Sequence, residues 1–255
     1  MCQFHAKKER KHITQAKEIM GRIHMIRHGQ ASFGAENYDS LSDLGREQVK
    51  ILGKSLARHD RVFTAIYQGT LERQTQTAKE VIDCINKEGY HTPRVISLDA
   101  LNEYDALTVW KSHLAGVIEE NPFMQRDLDN IKTDPKAFQR LFEKVTNRWI
   151  SGEHDRKSAP RWKDFKTRVT KGLRTIMDGH GPGSEIAVVT SAGTISVAMQ
   201  QSLGLSDKKT LELSWQILNS SVTRFRYNGD RIALSGFNDI SHLEATGNRD
   251  FLTYR

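Results

Sequence analysis

The chain has 255 residues, 37% of them hydrophobic and 27% charged, with a formal net charge of +7. That length can bury one large core, and the composition lies far from the disordered extreme. No apolar run reaches membrane-spanning length, there is no apolar stretch of the secretory kind, and Cys2 and Cys84 make no disulfide framework, so a cytoplasmic address is expected. Residues 1–22 hold Lys7, Lys8, Arg10, Lys11, Lys17 and Arg22 against Glu9 and Glu18, and so carry most of the excess charge. The remainder is nearly balanced and offers no electrostatic footprint for nucleic acid. Residues 1–19 lack an apolar period and are expected to form a mobile basic extension, with 20–255 as the folded domain.

Ile23-His24-Met25-Ile26 is mostly apolar and suits a strand buried on both faces. The chain breaks at Gly29, and Ser42 or Asp43 caps a helix whose apolar face carries Leu44, Ile51, Leu52 and Leu56. Val62 to Tyr67 reads as a second strand, and Thr70 to Glu88 as a helix with Ala78, Val81, Ile82 and Ile85 on one side. Arg94 to Leu98 is a third strand.

Residues 104–160 leave this rhythm and read as an inserted helical lobe that caps the pocket. Phe138, Leu141, Phe142, Val145 and Trp149 fall at helical spacing, as do Trp162, Phe165, Val169, Leu173 and Ile176 in the helix that follows. Such aromatic stripes are core rather than a cofactor box. Ile186 to Val189 is the most apolar strand, and Thr194 opens a helix running to about Leu203. Val222–Tyr227 and Arg231–Ser235 form a hairpin through Asn228-Gly229. Strands alternating with helices predict an α/β fold, a three-layer α/β/α sandwich around a mostly parallel sheet.

In open α/β sheets, ligands bind beyond the carboxyl ends of the strands. Three such ends carry reactive residues. Arg27-His28-Gly29-Gln30 follows the first: arginine offers a fork of donors to phosphate, and a neutral imidazole can attack phosphorus. Gly29 is expected to let the backbone approach a phosphate closely. Arg73 follows the second strand in the first turn of a helix, where anions are already favoured, or else pairs with Glu72 or Glu80. Glu103 follows the third, placed to protonate a leaving oxygen or simply to face water.

Together these segments resemble the histidine phosphatase superfamily, also called phosphoglycerate-mutase-like, from Gly21 to the end of the chain. Arg27-His28-Gly29-Gln30 is similar to the phosphate-accepting signature, and Leu41 to Gln48 to the helix after it. Leu71-Glu72-Arg73 with Thr77-Ala78 is similar to the segment bearing the second phosphate-binding arginine, and Leu101-Asn102-Glu103 to the stretch with the general acid. Asn238 to Leu243 resembles the closing segment. The resemblance implies that His28 accepts the phosphoryl group, that Arg27 and Arg73 bind its oxygens with Gln30 and Ser191 lining the substrate site, and that Glu103 donates a proton. It implies a small phosphorylated substrate with no metal or organic cofactor, while the charge distribution and the apolar runs lead us to expect no nucleic-acid or membrane partner.

The chain departs from the family at Val189-Thr190-Ser191-Ala192-Gly193-Thr194, where a second histidine followed by glycine is usual. Serine donates a hydrogen bond but carries no positive charge, and losing such a donor commonly costs about 3–4 kcal/mol of barrier. A slow phosphatase is therefore expected, with backbone N–H groups after Ser191 facing the oxyanion in place of the missing ring. A phospho-ligand-binding module without turnover is the rival. A mutase is a second rival, weakened because Glu103 is followed by Tyr104-Asp105-Ala106-Leu107 rather than the Arg-His-Tyr-Gly of phosphoglycerate mutases. His180, at the opposite end of its strand, is a poor substitute for the missing ring, and His242 either folds back toward the site or, as expected, has a structural capping role.

Overall fold

The computed structural model describes residues 20–32, 39–58, 63–156 and 158–254. The basic extension and Val62 lie outside these residues. The first strand, β1 (Gly21–Arg27), runs through the middle of the sheet, with Ile23, Met25 and Ile26 completely buried. On one side it pairs in parallel with β4 (Glu185–Thr190), so that Arg27 stands opposite Thr190. Beyond β4 come β2 (Ala65–Gln68) and β3 (Val95–Ser97), also parallel. On its other side β1 meets the antiparallel hairpin of β5 (Val222–Asn228) and β6 (Arg231–Asp239). The order is β3-β2-β4-β1-β5-β6, a mixed sheet with four parallel strands.

Successive side chains of a strand point to opposite faces, and here both faces are covered. Ile26, Ile66, Ala187 and Val189 pack under α1 (Asp43–Arg58) and α2 (Glu72–Lys87), against Val49, Leu52, Val81 and Ile85. Ile23, Met25, Tyr67, Ile186 and Val188 pack under α6 (Trp162–Asp178) and α7 (Ala192–Leu203), against Val169, Leu173, Ile176 and Ile195. The three-layer arrangement follows from these two apolar clusters. Ser42 caps α1 by accepting a bond from the Gly45 N–H at 3.0 Å.

Several boundaries differ from expectation: β2 runs over Ala65–Gln68, β6 extends to Asp239, and α7 opens at Ala192. The third strand shrinks to three half-exposed or exposed residues, because it lies at the sheet edge with a neighbour on one side only. The hairpin turns through Gly229-Asp230, one residue later than expected, because Asn228 pairs with Arg231 and Gly229 takes the positive φ of +56°.

Between β3 and α6 the chain makes α3 (Ala106–Glu120), α4 (Gln125–Asp129) and α5 (Pro135–Ser151). Leu141, Val145 and Trp149 of α5 are fully buried, while Phe138 and Phe142 stack on Trp110. Trp149, Trp162, Phe165 and Tyr104 share one aromatic cluster, which joins these helices to the body. Between β4 and β5 the chain adds α8 (Asp207–Ser214), and α9 (Ser241–Glu244) follows β6. Among the described residues no helix is long and apolar enough to cross a membrane.

Candidate active site

β1, β2 and β4 run in parallel, so their carboxyl ends open at one edge, and the reactive segments gather there. The His28 backbone N–H donates to the Thr190 carbonyl at 2.9 Å, fixing the residue against the end of β4. Gly29 donates to the Thr77 hydroxyl of α2 at 3.1 Å. A Cβ at Gly29 would lie 2.5 Å from the Gly45 carbonyl oxygen, so glycine is needed here for packing against α1.

The His28 ring is buried, with Nδ1 2.7 Å from the Gly29 carbonyl oxygen. A carbonyl only accepts, so Nδ1 is assigned the proton and Nε2 keeps a lone pair. Arg73 Nε points at that lone pair from 3.1 Å. Burial, then the charges of Arg73 and Arg27, hold the imidazole well below its ordinary pKa, so it is neutral at pH 7. The ring therefore presents an unprotonated Nε2, an atom chemically able to act as a nucleophile.

Arg73 sits in the first turn of α2, as expected, but its partner is neither Glu72 nor Glu80. Its Nη1 pairs with Asp39 Oδ1, whose other oxygen accepts the Glu72 N–H at 2.7 Å. Glu80 pairs instead with Arg46. Arg27 is nearly buried, with Nη1 donating to the Ile217 carbonyl and Nη2 to the Tyr254 carbonyl at 2.7 Å. The charges of both arginines also reach Glu103, which places all four residues in one electrostatic neighbourhood.

Glu103 follows a short 3-10 turn, Asp99–Leu101, and leans on the N-terminus of α7. Its Oε2 accepts the Gly193 N–H at 2.9 Å and its Oε1 the Tyr104 N–H at 3.1 Å. A Cβ at position 193 would come within 2.1 Å of Oε1, so glycine is what lets the carboxyl reach the helix end. Burial raises the Glu103 pKa and outweighs these two bonds and the nearby arginines. Arg168 of α6 holds the backbone of this turn, donating to the Asp99 carbonyl and, at 3.0 Å, to the Asn102 carbonyl.

Ser191 takes the N-cap position of α7 and is completely buried. Its hydroxyl oxygen accepts from Gln74 Nε2 at 2.9 Å, and Gln74 also donates to the Leu101 carbonyl at 3.2 Å. Backbone N–H groups after Ser191 were expected to face an oxyanion; that of Gly193 holds the Glu103 carboxyl. Gln30 keeps its side-chain oxygen on the Ser42 hydroxyl at 2.8 Å, tying it to the start of α1. His180 pairs with the Tyr67 hydroxyl at 2.9 Å. Among the described residues no group of three or more His, Cys, Asp or Glu side chains is arranged to hold a metal ion.

Sequence reasoning missed Asp39, Gln74, Gly193 and the loop before β5. In that loop Ser220 has a φ of +62°, and its N–H donates to the Arg27 and His28 carbonyls at 3.0 and 3.2 Å. The one available signal was the polar run Asn219-Ser220-Ser221 just before an apolar strand.

His242 lies under the same loop, its Nε2 3.0 Å from the Ser220 hydroxyl. Burial pushes its pKa down to about 4, and His113 of α3 is lowered as well. In the unfolded chain each takes a proton near the ordinary value of 6.5. Below that pH the unfolded state binds more protons, so stability falls as pH falls. For His242 the loss begins near 6.5, is complete near 4, and amounts to about 3 kcal/mol. Urea unfolding at pH 7 and pH 4.5 should show this drop, and His242→Asn should remove most of its own share. An unchanged pH dependence in that variant would contradict the assignment.

A family model described as the histidine phosphatase superfamily, branch 1, matches residues 23–240. Phosphoglycerate mutase-like protein 4 of Arabidopsis thaliana is 26% identical over 232 residues, 88% of each chain. The mitochondrial serine/threonine-protein phosphatase Pgam5 of Caenorhabditis briggsae is 39% identical over 75 residues, 29% of this chain and 26% of that one. Among solved structures, phosphoglycerate mutase from Bacillus anthracis superposes with a TM-score of 0.61 at 17% identity, covering 91% of this chain and 98% of its own. A phosphoserine phosphatase of Entamoeba histolytica, crystallised with 3-phosphoglyceric acid, gives 0.58 at 17%, covering 88% and 100%. The order of segments around His28, the layered sheet and this match agree, and the chain belongs to branch 1 of the histidine phosphatase superfamily.

Proposed function

We propose that this chain is a metal-independent phosphatase that hydrolyses a phosphate ester through a phosphohistidine at His28. The observation that carries the reading is the His28–Arg73 contact: a neutral ring whose reactive nitrogen already faces a guanidinium N–H at 3.1 Å. A phosphoryl group arriving there meets a nucleophile and a positive charge together. The Arg73 Nε–H passes from the Nε2 lone pair to a phosphoryl oxygen, the freed Nε2 attacks phosphorus, the ester P–O bond breaks, and Glu103 gives the leaving oxygen its proton. Glu103 then takes a proton from water as that water attacks the phosphohistidine, releasing phosphate and restoring the ring. Arg27 and Arg73 bind the phosphoryl oxygens, and Ser191 supplies a hydroxyl where a second cation is usual. The helices over 104–160 roof the pocket and select the leaving group.

Hydrolysis is favoured over phosphoryl shuttling because Glu103 is followed by Tyr104-Asp105-Ala106-Leu107, without basic residues to receive a phosphoglycerate carboxylate. The rival that keeps an observation on its side is a binding module, since Ser191 carries no charge and the Gly193 N–H is committed to Glu103.

A screen over many phosphate esters, coupled to a millisecond quench without acid, tests the proposal. Radiolabelled phosphate should appear on His28 and be lost on acid treatment. Absence of label, together with no ester hydrolysed above the protein-free rate, would sink it.

A further inference from the structure

Three residues beyond the matched region, Phe251, Thr253 and Tyr254, reach back to both sides of His28. Gln48 of α1 is completely buried, and every polar atom of its amide is used. Its Oε1 accepts the Gln30 N–H at 2.9 Å, and its Nε2 donates to the Phe251 carbonyl and the Thr253 hydroxyl oxygen, both at 2.8 Å. Thr253 lies 3.0 Å from Asn219 Oδ1, and its carbonyl accepts the Asn219 N–H at 2.9 Å. Asn219 Nδ2 donates to the His28 carbonyl at 3.1 Å. One residue further, the Tyr254 carbonyl holds Arg27 Nη2.

The direction of this relay is fixed. Gln48 must present its oxygen to the Gln30 N–H, so its nitrogen faces Thr253. The Thr253 oxygen accepts that bond and therefore sends its own proton to Asn219. Asn219 then turns its nitrogen to the His28 carbonyl. Each amide has a single orientation that satisfies all its partners, and a buried network satisfied in this way is rigid. The relay thus ties the residue carrying the nucleophile, and the arginine beside it, to segment 251–254.

We propose that Thr253 is a positioning residue for His28, acting through Asn219 and Gln48, and that segment 251–254 belongs to the phosphate site rather than only closing the fold. The proposal rests on His28 being the phosphoryl acceptor. Displacement of a reacting group by about 1 Å can cost about a hundredfold in rate, so loosening this support should appear in the phosphorylation step.

The test uses the full chain and phosphoramidate, a small donor whose P–N bond breaks as the bond from phosphorus to His28 Nε2 forms, with ammonia leaving. It requires no knowledge of the natural substrate. Thr253→Val keeps the shape and removes the hydroxyl, and should slow labelling of His28 by about tenfold or more, while Thr253→Ser should stay within about twofold of the parent. Urea midpoints establish that the compared proteins are folded, and Thr253→Ala takes the place of the valine variant if that one does not fold. A folded variant without the hydroxyl that labels at the parent rate overturns the proposal, as does a serine variant slowed as much as valine. A parent that takes no label overturns the reading of His28 as the nucleophile, and this proposal with it.

Discussion

His28→Ala should reduce turnover of every phosphate ester to the solvent rate. Removing a catalytic nucleophile outright typically costs about 10⁴-fold or more, because the remaining groups can bind but cannot form the covalent intermediate. Three other histidines of the α/β body are engaged elsewhere. His24 bonds Glu185 at 2.6 Å, His180 bonds Tyr67, and His242 lies beneath Ser220. Binding of phosphate should fall much less. Arg27 is held by the Ile217 and Tyr254 carbonyls and Arg73 by Asp39, and none of these anchors depends on the imidazole. Ester hydrolysis and calorimetric titration with inorganic phosphate, run on parent and variant, separate the two effects. If both proteins hydrolyse at the same background rate while the parent binds phosphate, the chain is a binding module and not an enzyme.

The features legible in the sequence were those written in a local pattern. The buried strand at Ile23–Ile26, the apolar stripe of α2 and the aromatic period of α5 and α6 each follow from spacing within one element, and their structures agree. The positions of His28, Arg73 and Glu103 after strands β1, β2 and β3 followed from the α/β rhythm. Partners contributed from distant segments were not legible. Nothing near Arg73 in sequence points to Asp39, and nothing near His28 points to Asn219 or Thr253, which lie 191 and more residues away. Gly193 illustrates the same limit. The backbone N–H groups after Ser191 were expected to face an oxyanion, yet at Gly193 the carboxyl of Glu103 arrives from another strand end and takes the N–H. The substitution Ser191 was visible as a departure, but Gln74, the buried amide that the hydroxyl accepts from, was not.

Glu103→Gln should slow alkyl phosphates by about 10²–10⁴-fold and nitrophenyl phosphate far less, since a good leaving group departs without a proton. The distinction matters because the substitution is not innocent in this pocket. Both carboxyl oxygens accept backbone N–H groups, from Gly193 and Tyr104. A glutamine has one acceptor for those two donors, so its NH₂ group is pressed against an N–H and the 99–103 turn shifts. Such a shift moves Arg73 and the phosphate site alike and slows both substrate classes equally. Loss of the proton slows only the alkyl class. The ratio of the two rates therefore isolates the acid role from the disturbance. The pH profile gives a second reading of the same group. Burial holds the Glu103 pKa above the ordinary carboxyl value, and the acid form is the active one, so the parent's rate on alkyl phosphates should fall as pH rises through that raised pKa. The limb should be absent for nitrophenyl phosphate and absent in the glutamine variant. Equal slowing of both substrates, with the alkaline limb still present in the variant, would make Glu103 a structural support for the helix end and leave the leaving-group proton to water.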